Sequence, residues 1–348
     1  MQFRDTIGYE RESVPARNVT PAATHSIMQL AKAALDRIGA STGVSDPTLY
    51  AFLSSMKYLM KPKGSVFFMD GSAGNDANDG LTPTTPKLTM TAGHGLLTTG
   101  MDDTLVVLNY GGAGAVAETF PINLSKSMIH VIGAQCMDNS KWPTIQSDTA
   151  GLDAITITGS RVELANLEVG GGATSAGIHV GSVGGIWGAC IHDVWFGVTG
   201  DTTGRDGIRT DVGEDAPFLQ VYDCRFGANL TRYGIYNAGN ATHGMLGRQG
   251  HGNKFLEVPG IGMYFTGAIL LDEVIDNLFA LASDVSGQAI SFTHASNGGA
   301  IVSGNKASLR IAAMTNNPFR DLGNEGIGNA NHWVDNWRQG LTIAPVTV

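Results

Sequence analysis

The chain repeats itself between residues 163 and 307, and the spacing of that repeat limits what it can fold into. The segments ELANLEV, CIHDVWF, QVYDCRF, GHGNKF, VIDNLF and VSGNKA align so that Val169, Phe196, Phe226, Phe255, Phe279 and Ala307 share one position, at intervals of 27, 30, 29, 24 and 28 residues. Five residues earlier stand Leu164, Ile191, Val221, Gly250, Val274 and Val302. Between these, three before the anchor, are Asn166, Asp193, Asp223, Gly252, Asp276 and Gly304, types that tolerate the left-handed backbone of a sharp corner. A second series, shifted in phase, runs through Ile178, Ile208, Ile235, Ile261 and Ile290, four of them preceded by glycine.

Two interleaved series with one period read as successive coils of a solenoid. Helical repeats would need longer segments of 3.6-residue period and fewer glycines, so the repeat predicts a parallel β-helix. Each coil holds two or three short strands, with the anchors inward and stacked about 4.8 Å from the next coil. Simple alternation would separate two inward positions by an even number, so the five-residue spacing predicts a bend between them. The 47 glycines and the 15% of charged residues suit tight turns and stacked strands.

The flanks differ from the repeat. Residues 1–23 are polar and carry Pro15 and Pro21, as an arm that lies on something else would. Residues 24–38 place Ile27, Leu30, Ala31, Ala34, Leu35 and Ile38 on one helical face, and a second helix is expected between Asp46 and Pro62. These helices read equally as a cap over the solenoid's open end or as a docking or oligomerisation segment. The expected organisation is therefore an arm and two helices over 1–62, a parallel β-helix over 63–310, and a C-terminal cap and tail over 311–348, where Trp333 and Trp337 are expected on one apolar face. The three cysteines, Cys136, Cys190 and Cys224, lack metal-ligand spacing and read as small buried residues.

Residues 64–108 give a strand (GSVFFMD), a loop of turn formers (GSAGNDANDGLTPTTPK), a short helix within LTMTAGHGLLTTG and a buried strand (DDTLVVLNYGG). This order, with D-x-S-x-x-N-D-x-N-D-G-L-T-P and T-x-P-K between the strands, resembles the opening of pectate-lyase-like right-handed β-helix proteins, a family that includes phage tailspikes and other virion β-helices. The resemblance covers 66–112 in motif and 113–307 in architecture, and it alone implies right-handedness. The acidic residues Asp70, Asn75, Asp76, Asn78 and Asp79 lack EF-hand spacing and read as an Asx-rich turn ahead of a calcium site.

Candidate chemistry falls in two places. Beside the anchors, Glu168, Trp195, Arg225, Lys254, Leu278 and Lys306 form an outward stripe, which is either a solvated mixed face or a surface where Trp195, Arg225 and Lys254 grip a glycan or protein partner. The densest acidic stretch, DTTGRDGIRTDVGED, carries Asp201, Asp206, Asp211, Glu214 and Asp215. If the chain is an enzyme, Asp206, Asp211, Glu214 and Asp215 are the catalytic candidates, since glycoside hydrolysis needs two carboxylates across one bond. The family resemblance implies instead a basic residue working with calcium-binding acids, for which Arg205 and Arg209 are the nearest. His179, His192, His243, His251 and His294 follow no metal or triad order, and no metal or cofactor is expected.

The formal net charge of −9 argues against nucleic acid and anionic membrane as partners. No apolar run is long enough to span a bilayer, and MQFRDTIGYERES has no apolar h-region, so neither a membrane span nor a secretory signal is expected. With the resemblance, these negatives make the first expectation a structural protein of a bacteriophage virion: a homotrimeric head decoration, fibre or short spike attached to other virion proteins through residues 1–62. The alternative is a tailspike-type depolymerase, a hydrolase or lyase acting on host surface glycans. A secreted carbohydrate-active β-helix is the third reading, with the absent export signal against it.

Overall fold

The computed structural model describes residues 64–347 outside the segments 111–117, 135–141, 198–201, 240–244, 247–251, 268–272, 282–287, 295–298, 310–316, 322–330, 339–340 and 343–345. The N-terminal arm and both expected helices lie outside the described residues, as do Cys136, Asp201, Gly250 and His251.

From Ile129–Gly133 onward, each coil places one short strand in each of three sheets. Cys190–His192 belongs to the first sheet, Trp195–Phe196 to the second and Gly204–Thr210 to the third. The chain then returns as Gln220–Tyr222, paired in parallel with Cys190–His192. Among the described residues the first sheet has ten strands and each of the others nine. Trp337–Arg338 with Leu341–Thr342 is the antiparallel pair that ends the second sheet. The protein is thus an all-β parallel β-helix. Its short helix, α1 (Met90–Leu96), is capped by the Thr89 hydroxyl, which accepts from the Ala92 N–H. Among the described residues no helix is long and apolar enough to cross a membrane.

The anchors stack in register. Phe196, Phe226, Phe255 and Phe279 lie ring on ring with centroids 4.6–4.9 Å apart and planes within 11° of parallel. Such pairs contribute about 0.5–1.5 kcal/mol each beyond their burial. The glycine series follows from this column. A Cβ on Gly207, Gly234 or Gly262 would lie 2.6, 2.4 or 2.6 Å from a ring atom of Phe226, Phe255 or Phe279, which belong to the following coil. Ala289 replaces glycine in the coil whose following anchor is Ala307.

The bend between the two inward positions is also present. Asn166, Asp193, Asp223 and Asp276 have φ of 52–57° and Gly304 has 67°, and Asp335 (54°) repeats the corner one coil later. Gly252 departs from the expectation: its φ is not left-handed, and a Cβ there would sit 1.9 Å from the Asp276 carbonyl oxygen. Two further assignments shift. Leu246, not Gly250, pairs between Val221 and Val274, and Met263, not Ile261, pairs between Ile235 and Ile290. Loop lengths vary between coils, so a fixed count from the anchor slips by a few residues there.

One stabilising column escaped the repeat analysis. Asn253, Asn277, Asn305 and Asn336 are buried at the corner, each directly after the corner residue Gly252, Asp276, Gly304 or Asp335. The Nδ2 groups of Asn253 and Asn277 donate to the Oδ1 of the asparagine one coil on, at 3.0 and 2.9 Å. Asn305 does the same to Asn336 at 2.9 Å, and the backbone N–H of each also reaches that oxygen. Paired in this way, the amides avoid the cost of about 1–3 kcal/mol for an unsatisfied buried polar group. The two tryptophans do not share a face, because the corner at Asp335 lies between them. Trp333 packs on Phe292 and Phe319, whereas Trp337 extends the outward stripe beyond Lys306.

Gly234→Ala is expected to destabilise the fold by roughly 1–3 kcal/mol through overpacking against the Phe255 ring. Combining it with Phe255→Leu should recover part of that loss. Urea unfolding of the double-mutant cycle checks this, and additive costs would show that the ring is not what the glycine accommodates.

Candidate functional site on the third sheet

Strands of the third sheet alternate, so the residue after each inward aliphatic faces out. Register places these residues in one row: Thr156, His179, Arg209, Tyr236, Tyr264 and Ser291. The row therefore juxtaposes residues that lie over a hundred positions apart in the chain.

Its first half is charged. The His179 Nε2 lies 2.7 Å from Glu214 Oε2 and 3.8 Å from Asp211 Oδ2, and its Nδ1 lies 3.4 Å from Asp153 Oδ2. Arg209 bridges the same carboxylates, with Nη2 3.1 Å from Asp153 and Nε 3.2 Å from Asp211. The Asp211 N–H donates to Glu214 Oε2 at 3.1 Å, which fixes the loop that carries both acids. Burial works to lower the His179 pKa, but its hydrogen bonds to Asp153 and Glu214 and their charges outweigh it and hold it above the ordinary 6.5. For Asp153 burial opposes ionisation, and the bonds from His179 and the Ala176 N–H, with the Arg209 charge, win and lower it. Among the described residues, His179, Asp211 and Glu214 form the group whose donor atoms, all within 4.8 Å of one another, suit a metal ion.

The second half is aromatic. Tyr233, Tyr236 and Tyr264 are half-buried, with centroids 4.9–6.0 Å apart. The Arg232 guanidinium lies 4.4 Å from the Tyr233 centroid and 4.6 Å from that of Tyr236. Its Nε donates to Asp206 Oδ1 at 2.8 Å, so the cation is fixed over the rings.

The candidate acids are therefore separated. Asp211 and Glu214 join the His179 group, and the Asp211 side chain is 44% exposed. Asp206 is fully buried and ion-paired with Arg232 and Arg205, a structural arrangement that leaves it no access to a ligand. Asp215 stands apart: its backbone bridges Ser182, and its Oδ1 is buried without a partner. Both nominated arginines, Arg205 and Arg209, are engaged by carboxylates. The sequence pattern set His179 aside with the other histidines and did not single out Asp153 or the tyrosines.

The outward stripe on the second sheet is present as a row. Trp195 pairs with Glu168 and Arg225, Arg225 with Lys254, Lys254 with Leu278, and Leu278 with Lys306. Glu168 is buried and accepts from the Thr202 hydroxyl at 2.7 Å. Trp195 is enclosed by Trp142, 5.2 Å away, and by Arg225, whose guanidinium lies 4.6 Å from its ring. The acidic loop solvates itself: Asp70 accepts from Ser72 and Ala73, Asp79 from Leu81 and Thr85, and Asp76 from Leu88 and Thr89.

A second charged group sits on the first sheet. Glu163 accepts from His130 Nδ1 through one oxygen and lies 2.9 Å from His192 Nε2 through the other. The His192 Nδ1 reaches Asp193 at 2.9 Å, and its ring stacks on Tyr222 at 4.9 Å. Cys190 contacts the Tyr222 hydroxyl, and Cys224 is buried in the corner.

No protein-family model matches the sequence, and no curated protein matches it. Among solved structures the chain is similar to GH136 lacto-N-biosidase from Eubacterium ramulus. The selenomethionine derivative gives 12% identity over 92% of this chain and 74% of that one, with a TM-score of 0.38. The native protein gives 12% identity over 83% and 69%, with a TM-score of 0.39. Similarity at this level carries no activity over to this chain, whose chemistry follows from its own residues.

The first-sheet group makes stability depend on pH. Burial lowers the His192 pKa, but the bonds and charges of Asp193 and Glu163 prevail and raise it to about 9. A raised folded pKa gives stabilisation that is complete below the unfolded value of about 6.5 and lost as pH rises through about 9. The thermal midpoint should fall between pH 6.5 and 9, and His192→Gln should flatten that slope. Equal slopes in the two proteins would remove His192 from the account.

Proposed function

We propose that the protein recognises a glycan along the outward row of the third sheet. The observation that carries this is the register that sets Tyr236 and Tyr264 directly beside Arg209 and His179 on consecutive coils. Half-buried tyrosine faces offer a platform for the apolar face of a sugar ring. The adjoining carboxylates accept from sugar hydroxyls, and Arg209 donates to them. Binding fits the electrostatics better than hydrolysis does. Asp211 is ion-paired with Arg209 and Glu214 with His179, so each acid is already engaged by a basic side chain.

One observation favours the depolymerase reading: the Asp211 side chain is 44% exposed and one of its oxygens lies within 4.8 Å of one of Glu214's, and glycoside hydrolysis needs two neighbouring carboxylates. In a virion setting the ligand would be a host surface glycan, and a homotrimer docked through residues 1–62 would present several copies of the row.

Tyr236→Ala should weaken glycan binding roughly five- to ten-fold, the loss of about 1 kcal/mol of stacking. Affinity electrophoresis against polysaccharides measures it, with a reducing-end assay run on the same mixtures. Release of reducing ends that Glu214→Gln abolishes would convert the assignment to a hydrolase, and unchanged migration in every gel would sink the reading. Light scattering of the intact chain and of one lacking residues 1–62 is expected to give a trimer for the first. A monomer from both would remove the trimer.

A further inference from the structure

The two loops that leave the third sheet beside this row form a wall. The loop following the His179 strand and the loop carrying Asp211 and Glu214 are tied by backbone bonds, from the Ile186 N–H to the Asp215 carbonyl at 3.1 Å and from the Gly188 N–H to the Pro217 carbonyl at 2.8 Å. On this braced pair, Trp187 and Phe218 are 57% and 50% exposed, and their rings pack 5.5 Å apart. Phe218 also has a φ of 60°. A bulky side chain in the left-handed region is strained where glycine or asparagine would not be, and such strain gathers at ligand sites. Two large aromatics exposed together on a rigid support, one of them at a conformational cost, are not explained by folding.

Resting on the glycan-binding reading, we propose that Trp187 and Phe218 form a second sugar-stacking subsite, on the far side of Asp211 and Glu214 from the tyrosines. The argument for a sugar as occupant is continuity. Phe218 lies on the same loop as Asp211 and Glu214, four residues past Glu214, and Gly181 at the start of the other loop lies so near Glu214 that a Cβ on it would sit 3.0 Å from the Glu214 side chain. A glycan held by the tyrosines and crossing the carboxylates would meet an aromatic face at each end.

The test uses the full chain on a printed array of oligosaccharides and bacterial surface polysaccharides, followed by titration of the strongest binder. Trp187→Ala and Phe218→Gly should each weaken binding roughly five- to ten-fold. Phe218→Gly should at the same time leave the thermal midpoint unchanged or higher, because it relieves the left-handed backbone. A structural role would lower the midpoint along with affinity. Unchanged affinity in both variants, with Tyr236→Ala still weakened, would overturn the subsite and leave the glycan-binding reading intact. No binding to any member of the array by the unmodified protein would overturn both. Dissociation of an oligomer by Trp187→Ala and Phe218→Gly, with affinity unchanged, would assign the patch to a second copy of the chain instead.

Discussion

Parallel stacking of coils sets every side chain against its counterpart one coil away, at about 4.8 Å. That spacing is close to the thickness of an aromatic ring in contact with another, and the core exploits it with four stacked phenylalanines. The same spacing brings one amide within hydrogen-bond reach of the next, and the corner exploits that with the asparagine column. Neither column tolerates a local choice made in isolation. A ring in one coil excludes a Cβ from the strand of the coil before it, so Phe226, Phe255 and Phe279 require Gly207, Gly234 and Gly262. Where the following anchor shrinks to Ala307, Ala289 takes the glycine's place. The core is thus specified by pairs of positions about twenty residues apart.

This pairing explains what the sequence reveals. The anchors and corners repeat with nearly constant spacing because they are inward or conformationally constrained, and they could be aligned by eye. Outward residues are under no such restriction, so His179, Arg209, Tyr236 and Tyr264 change type from coil to coil until the two tyrosines and do not announce a common row. A signal was present: each follows an inward aliphatic of the second series, namely Ile178, Ile208, Ile235 and Met263. Choosing Ile261 in place of Met263 broke the row by two residues and concealed Tyr264. Asp211 and Glu214 were legible because the acids cluster within one loop. Asp153 was not, since it reaches the site from a neighbouring coil. Asp206 looked like its neighbours in the sequence, and only the third dimension shows that it is buried under Arg232.

Two groups of ionisable side chains in this protein have similar composition and opposite character. On the first sheet, both oxygens of Glu163 are taken by histidines, and His192 spends its second nitrogen on Asp193. The hydrogen-bonding capacity of that group is directed inward, and the group acts as a clasp between coils. Buried charges arranged this way need every member, because losing one leaves an unpaired ion.

On the third sheet, His179 and Arg209 are also engaged, but the group ends in Asp211, whose side chain is 44% exposed. Arg209 Nε is ion-paired with Asp211 Oδ1 at 3.2 Å, while Oδ2 lies 3.8 Å from His179 Nε2. A carboxylate positioned on one side and exposed on the other retains acceptor capacity for a ligand, and its orientation does not have to be reorganised when one arrives. On the proposed glycan-binding reading, this exposed carboxylate would meet sugar hydroxyls while the neighbouring aromatic rings would meet apolar ring faces. The neighbouring tyrosines extend that surface along the solenoid axis, one coil at a time, which suits a linear polymer better than a compact ligand.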